Sequence, residues 1–303
     1  MQQLKLIQLY FYVCQEYEEE LKWHCQRFSQ NSIEPLFSDC ELLTTYLFAV
    51  GYEQRFQVKQ IHRYIHDHWL SWFPHLPAYQ TYNARLNRLV ATFPVLVAKL
   101  LQQMSQSARH SQIFSLTDSM PIMTCSNKRK AKVALELCNK GYSSVKKRHY
   151  YGLKLHAIGF LNPGALPVPE YLLIGPASEH DISAQHTILE TLQLRAIVGD
   201  KAFQSKKLER ALSQNSSVLF TPVAYQDDIA RALRKFTQAA DDLYSAAVSS
   251  LRQPIESFFN WLIEKTDIQR ASKVRSLSGL LVHVFGKIAA ACLPTVINMK
   301  LNP

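Results

Sequence analysis

The sequence has no Cys-x-x-Cys pair, no recognisable secretory leader and no uninterrupted apolar run long enough to cross a bilayer. Its six cysteines (Cys14, Cys25, Cys40, Cys125, Cys138, Cys292) stand singly. That excludes zinc-ribbon spacing and, with no leader, a secreted disulfide framework. They read as reduced thiols of a cytoplasmic protein. The stretch Leu4 to Val13 is interrupted by Lys5 and Gln8 and followed by Glu16, Glu18, Glu19 and Glu20, the pattern of an amphipathic helix rather than a signal peptide. Leu280 to Leu293 is the most apolar C-terminal piece, but it contains His283 and Lys287 and reads as too short to span a membrane. His62 and His66 lie four apart on one helical face, with His68 nearby. The Glu of the metalloprotease motif is missing, so they read as surface or core residues.

Charge is unevenly spread along the chain. Residues 111–303 hold 24 Lys/Arg against 15 Asp/Glu, whereas residues 1–110 hold 10 against 9. A basic C-terminal two-thirds favours a polyanionic partner, nucleic acid ahead of a membrane surface. The 303 residues are 47% apolar, enough for a sizeable core in one large domain or two ordinary ones.

Residues 1–108 read as a helical N-terminal domain. Leu4 to Phe28 is long and amphipathic. Ser38 with Glu41 is a capping box opening a helix to about Val50. Phe56 to Trp72 follows, and Pro74 and Pro77 break the chain. A last helix, about Gln80 to Met104, carries Arg85 and Arg88 and is expected to kink at Pro94. Two readings stand: a helix-turn-helix that contacts DNA ends, or a bundle that packs on its neighbour. Residues 109–303 change pattern. Ile113 to Asp118 alternates like a strand. Residues 123–149 form a basic insertion with Glu136 as its single acid. Tyr150 to Phe160 alternates as a second strand, with Lys154, His156 and Ile158 on one side. Asn162-Pro163-Gly164 makes a turn, and Glu170 to Ile174 is a third strand. A helix (Asp181 to Leu192), a buried strand (Ala196 to Val198), a helix (Gln204 to Leu212) and a strand (Val218 to Thr221) complete the alternation. This order predicts an α/β fold with a mixed sheet flanked by helices. A polar helical segment, Asp227 to Ala247, follows. Pro254 suits the first turn of a helix running to Lys265.

Three carboxylates fall at element ends. Asp118 ends the first strand, and Asp200 follows the buried strand Ala196 to Val198. Glu256 lies in the first turn of the helix opened by Pro254. If the first and fourth strands are central neighbours, Asp118 lies beside Asp200, and the helix carrying Glu256 can cover that edge. Three carboxylates with water suit Mg²⁺ or Mn²⁺. Two such ions about 4 Å apart activate an attacking oxygen and stabilise the leaving oxygen of a phosphodiester.

These residues carry a resemblance. Leu116-Thr117-Asp118-Ser119, Tyr151-Gly152-Leu153-Lys154-Leu155-His156, Ala177-Ser178-Glu179-His180-Asp181, Gly199-Asp200-Lys201-Ala202-Phe203 and Arg252-x-x-x-Glu256 resemble, in order and spacing, a DDE transposase of a bacterial insertion sequence. The resemblance covers about residues 110–295. It implies a ribonuclease H-like core and catalytic, metal-binding roles for Asp118, Asp200 and Glu256, with two Mg²⁺ ions per site. It also implies cleavage at transposon ends followed by attack of the freed 3′-hydroxyl on target DNA. The implied setting is a homodimer or higher oligomer on double-stranded DNA, in a bacterial cytoplasm. Related elements often carry Tyr, Arg, Glu and Lys around the third acid. Here Ser249 stands at the Tyr position and Ile263 at the Lys position, and Lys265 falls on the opposite helical face.

Other candidates remain two-sided. Arg252 holds a DNA phosphate or orients Glu256, or it makes a surface ion pair. Lys201 touches DNA or is solvated. Lys128, Arg129, Lys130, Lys146, Lys147 and Arg148 grip backbone phosphates, with Tyr142, His149 and Tyr150 available for base stacking, or they form a solvated loop. Asp181 reads first as a helix cap. The rival functions are a nuclease or resolvase with the same core but no strand transfer, and a non-catalytic DNA-binding repressor descended from a transposase.

Overall fold

The computed structural model describes residues 2–25, 35–107, 113–126, 133–143, 147–223 and 231–301. The chain opens on helices α1 (Gln2–Glu19), α2 (Asp39–Gly51), α3 (Val58–Trp69), α4 (Tyr79–Arg88) and α5 (Thr92–Ser107). The capping box at α2 is complete: Glu41 N–H donates to Ser38 Oγ at 3.1 Å, and Ser38 N–H to Glu41 Oε2 at 2.6 Å. The helix expected from Gln80 to Met104 is two helices joined by a 3₁₀ turn at Leu89–Ala91. Pro94 causes the break upstream of itself, because it has no N–H for the carbonyl four residues back and its ring crowds that carbonyl. Pro94 itself sits in the first turn of α5, where the missing donor costs nothing. The α1 helix also stops before Phe28, giving way to a 3₁₀ turn at Leu21–His24.

Among the described residues six strands form one sheet: β1 (Phe114–Ser126), β2 (Asn139–Ser143), β3 (Arg148–Phe160), β4 (Val168–Pro176), β5 (Ala196–Val198) and β6 (Val218–Phe220). The order is β2-β3-β1-β5-β6, with β4 also on β3. The β3 strand is long enough to pair with β2 along Arg148–Gly152 and with β4 along Leu153–Phe160, both antiparallel. β5 runs parallel to both β1 and β6. The sheet is therefore mixed, as the element order predicts. The basic segment 123–149 is not all insertion: its start belongs to β1 and Asn139–Ser143 is β2. Helix α6 (Asp181–Leu189) leads from β4 to β5, and α7 (Lys206–Gln214) connects the parallel strands β5 and β6. Ile158, Leu189, Leu192, Ile197, Phe203, Leu208 and Leu212 form a buried cluster between helices and sheet, each side chain contributing roughly 1.5–3 kcal/mol. A Cβ at Gly199 would come within 3.1 Å of the Phe203 ring, so a side chain there would press on this buried cluster.

The chain continues through α8 (Arg231–Thr266), α9 (Leu277–Leu281), a π-helical turn (Val282–Gly286) and α10 (Lys287–Leu301). Residues fall into two compact units. One holds Met1–Ser107, Met123–Glu136 and Leu262–Pro303; the other holds Ala108–Ile122 and Leu137–Trp261. The C-terminal helices therefore cluster with the N-terminal ones in a helical unit, and the sheet, apart from the last residues of β1 from Met123 on, belongs to the second unit. The run Leu277–Lys300 is longer than the sequence pattern suggests, and it is apolar and long enough to cross a membrane by length and composition. Most of it is buried inside the protein, as expected of a core helix. All six cysteines are unbridged.

Within the helical unit, His62 Nε2 meets the Pro77 carbonyl at 2.8 Å and His66 Nδ1 meets Asp67 at 3.1 Å, so each histidine has its own partner. Arg85 is turned inward, paired with Asp39 at 2.8 Å, whereas Arg88 is exposed.

Candidate active site

Strands β1 and β5 pair Phe114 with Ala196, Ser115 with Ile197 and Leu116 with Val198. After Val198 the chain turns at Gly199 and Asp200 into a 3₁₀ turn, Lys201–Phe203. Two residues beyond the last pair on each strand stand Asp118 and Asp200. The two acids are thus level on adjacent chains, at the carboxyl end of β5. Neighbouring strands lie about 4.8 Å apart, and open sheets bind ligands at such ends. Asp118 does not end its strand, as the sequence suggests. β1 continues to Ser126, and what stops two residues before Asp118 is the pairing with the three-residue β5. Backbone N–H groups orient both acids: Ser119 donates to Asp118 Oδ1 at 2.8 Å and Ala202 to Asp200 Oδ1 at 2.9 Å.

Glu256 lies on α8, and that helix differs from expectation. It does not open at Pro254 but runs from Arg231 to Thr266 with Pro254 inside. An interior proline costs about 3 kcal/mol or more. Complete burial of Ile255 and near-complete burial of Phe258 and Phe259 on the following turns offset it. Because the helix extends back through Arg252, Arg252 and Glu256 are neighbours one turn apart. Arg252 Nη1 donates to Asp118 Oδ2 at 2.6 Å, and Nη2 donates to Glu256 Oε1. One guanidinium fork ties the strand acid to the helix acid.

Asp181 is not a cap. His180 occupies the N-cap position, and no side chain caps the helix. Asp181 Oδ1 instead accepts from Ser119 Oγ and from Lys154 Nζ, each at 2.9 Å, and lies 3.7 Å from His156 Nδ1. Lys154 Nζ also donates to the Glu179 carbonyl at 2.9 Å. Thr117, buried next to Asp118, donates to the buried Gln185 of α6. These bonds hold the part of β1 on either side of Asp118.

The electrostatics follow from this crowding. Burial pushes the Asp118 carboxyl up, Arg252 and the Ser119 N–H pull it down, and Asp200 and Glu256 push it up again, leaving it at about 6. Asp200 is also raised, by burial first and by Asp181, against the Ala202 N–H, Arg252 and Lys154. Burial lowers His156 to about 4 despite the pull of Asp181, with Lys154 adding to the lowering, so its imidazole is neutral at pH 7. Four carboxylates (Asp118, Asp181, Asp200, Glu256) face two cations (Arg252, Lys154). Among the described residues no three acid, imidazole or thiolate groups are already gathered as a metal cluster. The donor set still fits a hard divalent cation. It offers carboxylate oxygens from separate elements, and burial disfavours the charged form of two of those carboxyls, so added positive charge is favourable there.

A family model described as the transposase DDE domain matches residues 109–293, more than half of the chain. The chain belongs to that family. No curated protein and no solved structure gives a significant match. The matched span contains all of the acids above, and the mixed sheet flanked by helices after a helical N-terminal region agrees with a ribonuclease H-like transposase fold.

The remaining candidates are spread over the transposase. Lys201 is exposed on the 3₁₀ turn directly after Asp200. Lys147 and Arg148 are exposed where β3 begins. Tyr142 and His149 sit opposite each other on β2 and β3, their rings 5.1 Å apart, and Tyr142 is exposed. Tyr150 is buried, because its side chain points to the opposite face of the strand from His149, and it is unavailable for stacking on a base. Lys128, Arg129, Lys130 and Lys146 lie outside the described residues. Sequence reasoning missed Lys154 and His156 as neighbours of the acids. Their signal was a charged and a titratable residue two apart on one side of a strand, which places both on the same face.

Proposed function

We propose that this transposase cleaves DNA at the ends of its element and joins the freed 3′-hydroxyl to target DNA, using divalent cations held by Asp118, Asp200 and Glu256. The observation that carries the reading is the single arginine that bridges Asp118 and Glu256, with Asp200 level with Asp118 across β1 and β5. Mg²⁺, with Mn²⁺ as a substitute, suits these oxygens. Two such ions, when bound, activate the attacking oxygen and stabilise the leaving oxygen of a phosphodiester.

The chain's own residues prepare the site. Arg252 neutralises Asp118 and Glu256, and the same fork suits a DNA phosphate. Lys154 holds Asp181, Asp181 holds the Ser119 hydroxyl, and the Ser119 N–H holds Asp118 Oδ1. The neutral, buried His156 closes this network from below without adding charge. Water is the first nucleophile and the 3′-hydroxyl the second, so no covalent protein–DNA intermediate is needed. Lys201, Lys147 and Arg148 line the DNA backbone. Residues 1–108 hold the element ends, and a homo-oligomer brings two ends together in the cytoplasm.

The test incubates the protein with Mg²⁺ and DNA carrying the element ends, maps the cuts, and scores integration into a plasmid. Cuts at the ends with joined products are expected. Cleavage without joined products assigns a nuclease without strand transfer, and DNA binding without cleavage would overturn the enzymatic reading.

A further inference from the structure

The helical unit contains a cavity of about 450 Å³, formed by residues of α3, α4, the segment after α8, and the α9–π-turn stretch. Its charged lining is Lys59, Arg270, Lys273, Arg275 and Lys287 against one acid, Asp267. Lys59, Arg270, Lys273 and Arg275 are exposed. Lys287 is different, with only 2% of its surface accessible. Among the described residues, none of the five has a carboxylate within ion-pair distance. Lys287 Nζ donates to the Asp267 carbonyl at 3.2 Å and lies 5.5 Å from the centre of the Phe56 ring. It emerges directly after the π-helical turn Val282–Gly286, a deviation that often marks functional positions in helices.

A solvated basic face explains four of these cations but not the fifth. Lysine is almost never fully buried unless paired, and an ammonium with one neutral acceptor leaves most of its desolvation uncompensated. Burial brings Lys287 down to about 7 even though Asp267 pulls it up. Gathering four more cations at the same cavity adds repulsion, which an anion relieves. The anion chemistry that suits guanidinium forks together with ammonium donors is phosphate, and the volume lies within the range of small-ligand sites.

We propose that this cavity binds a phosphate group, with Lys287 at its floor and Lys59, Arg270, Lys273 and Arg275 at its mouth. The phosphate belongs either to a DNA backbone or to a free phosphorylated molecule. The inference does not depend on the acid cluster of the sheet unit.

The test uses the full chain and two charge-matched variants. One is Lys59→Gln/Lys273→Gln/Arg275→Gln at the mouth. The other is Lys206→Gln/Lys207→Gln/Arg210→Gln on the exposed side of α7. Thermal unfolding is followed with inorganic phosphate, with ATP, and with sodium chloride at matched ionic strength. Phosphate is expected to raise the unfolding temperature by a few degrees in the wild type and the α7 variant, as a ligand of the native state does. It should not do so in the mouth variant. Lys287→Met, which keeps the side chain's bulk, should lose the phosphate shift while still unfolding cooperatively. DNA binding measured against salt separates the sources. A backbone phosphate predicts that the slope of log affinity on log salt falls by about one for each phosphate lost, in the mouth variant only. An unchanged slope with a lost ATP or phosphate shift assigns the cavity to a free phosphorylated molecule. Equal phosphate shifts in the wild type, the mouth variant and Lys287→Met would overturn the proposal.

Discussion

The two units each concentrate charge of one sign, and they handle it differently. In the sheet unit four carboxylates meet two cations, and both cations are fully engaged: Arg252 forks to Asp118 and Glu256, and Lys154 holds Asp181. At the cavity of the helical unit five basic residues meet one acid, and one of them, Lys287, is buried with a backbone carbonyl as its hydrogen-bond acceptor. The acid cluster comes from strands and a helix far apart in sequence, fixed by pairing register. Three of the five cavity cations come from the short span 270–275, with Lys59 and Lys287 joined to them by helix packing. The acid cluster is latched from within by Arg252, and under the proposed function a divalent cation takes over that arginine's charge. Among the described residues the basic cluster has backbone acceptors but no carboxylate within ion-pair distance, and in the proposed binding mode an outside anion takes that role.

The largest expected effect breaks the acid side. Asp118→Asn, Asp200→Asn or Glu256→Gln should each reduce DNA cleavage by more than about 1,000-fold, the loss of several kcal/mol of charge stabilisation. DNA binding, read by anisotropy, should survive. A variant that cuts normally removes its residue from the site.

Next comes the latch. Arg252→Gln leaves Asp118 and Glu256 facing each other without a counter-charge and should destabilise the metal-free protein. Glu256 is about half exposed, its side chain retaining 48% of its accessibility. The cost is therefore expected nearer 1–2 kcal/mol than the value for a fully buried pair. Denaturant unfolding without and with Mg²⁺ measures it, and Mg²⁺ should restore most of the loss.

A comparable but more gradual effect is expected from pH. The folded pKa of Asp118 is raised to about 6 from 3.8. The folded state therefore holds a proton that the unfolded chain has released across that window. This part of the stability is full below about pH 4 and falls as pH rises through about 6, by on the order of 3 kcal/mol. Asp118→Asn should flatten that part of the metal-free stability curve. An unchanged slope would show that Asp118 is not the group held back from ionising.

The smallest effect lies in the helical unit and touches neither cluster. Ser38→Ala removes one half of the capping box of α2 and should cost about 1 kcal/mol. Cleavage, measured well below the melting temperature, should be unchanged.

The register that makes the acid site was readable in outline. The short apolar run Ala196 to Val198, followed by Gly199 and Asp200, marks a buried parallel strand whose end is open. Asp118 at the matching place on an alternating strand completes the pair. The capping box at Ser38 and Glu41 was equally legible, because it is written in adjacent residues. What local pattern could not give is what long-range packing decides. Pro254 signals a helix start by its own chemistry, yet the burial of Ile255 and Phe258 carries the helix through it. Asp181 sits where caps sit, yet Lys154 and Ser119, distant in sequence, offer its carboxylate better partners. The pairing of Arg252 with Asp118 joins positions 134 residues apart, and no spacing rule reaches that far. The basic cavity was legible only as a surplus of Lys and Arg. Its site character rests on the burial of Lys287, which an amphipathic pattern does not reveal.

Under the proposed function Asp118, Asp200 and Glu256 form one divalent-cation site in which Arg252 is the resident counter-charge. Calorimetric titration of Mg²⁺ into the DNA-free protein tests it most directly. Arg252→Gln is expected to bind Mg²⁺ more tightly than the wild type, and Asp200→Asn more weakly or not at all. Equal Mg²⁺ affinity in the wild type and Asp200→Asn would contradict it.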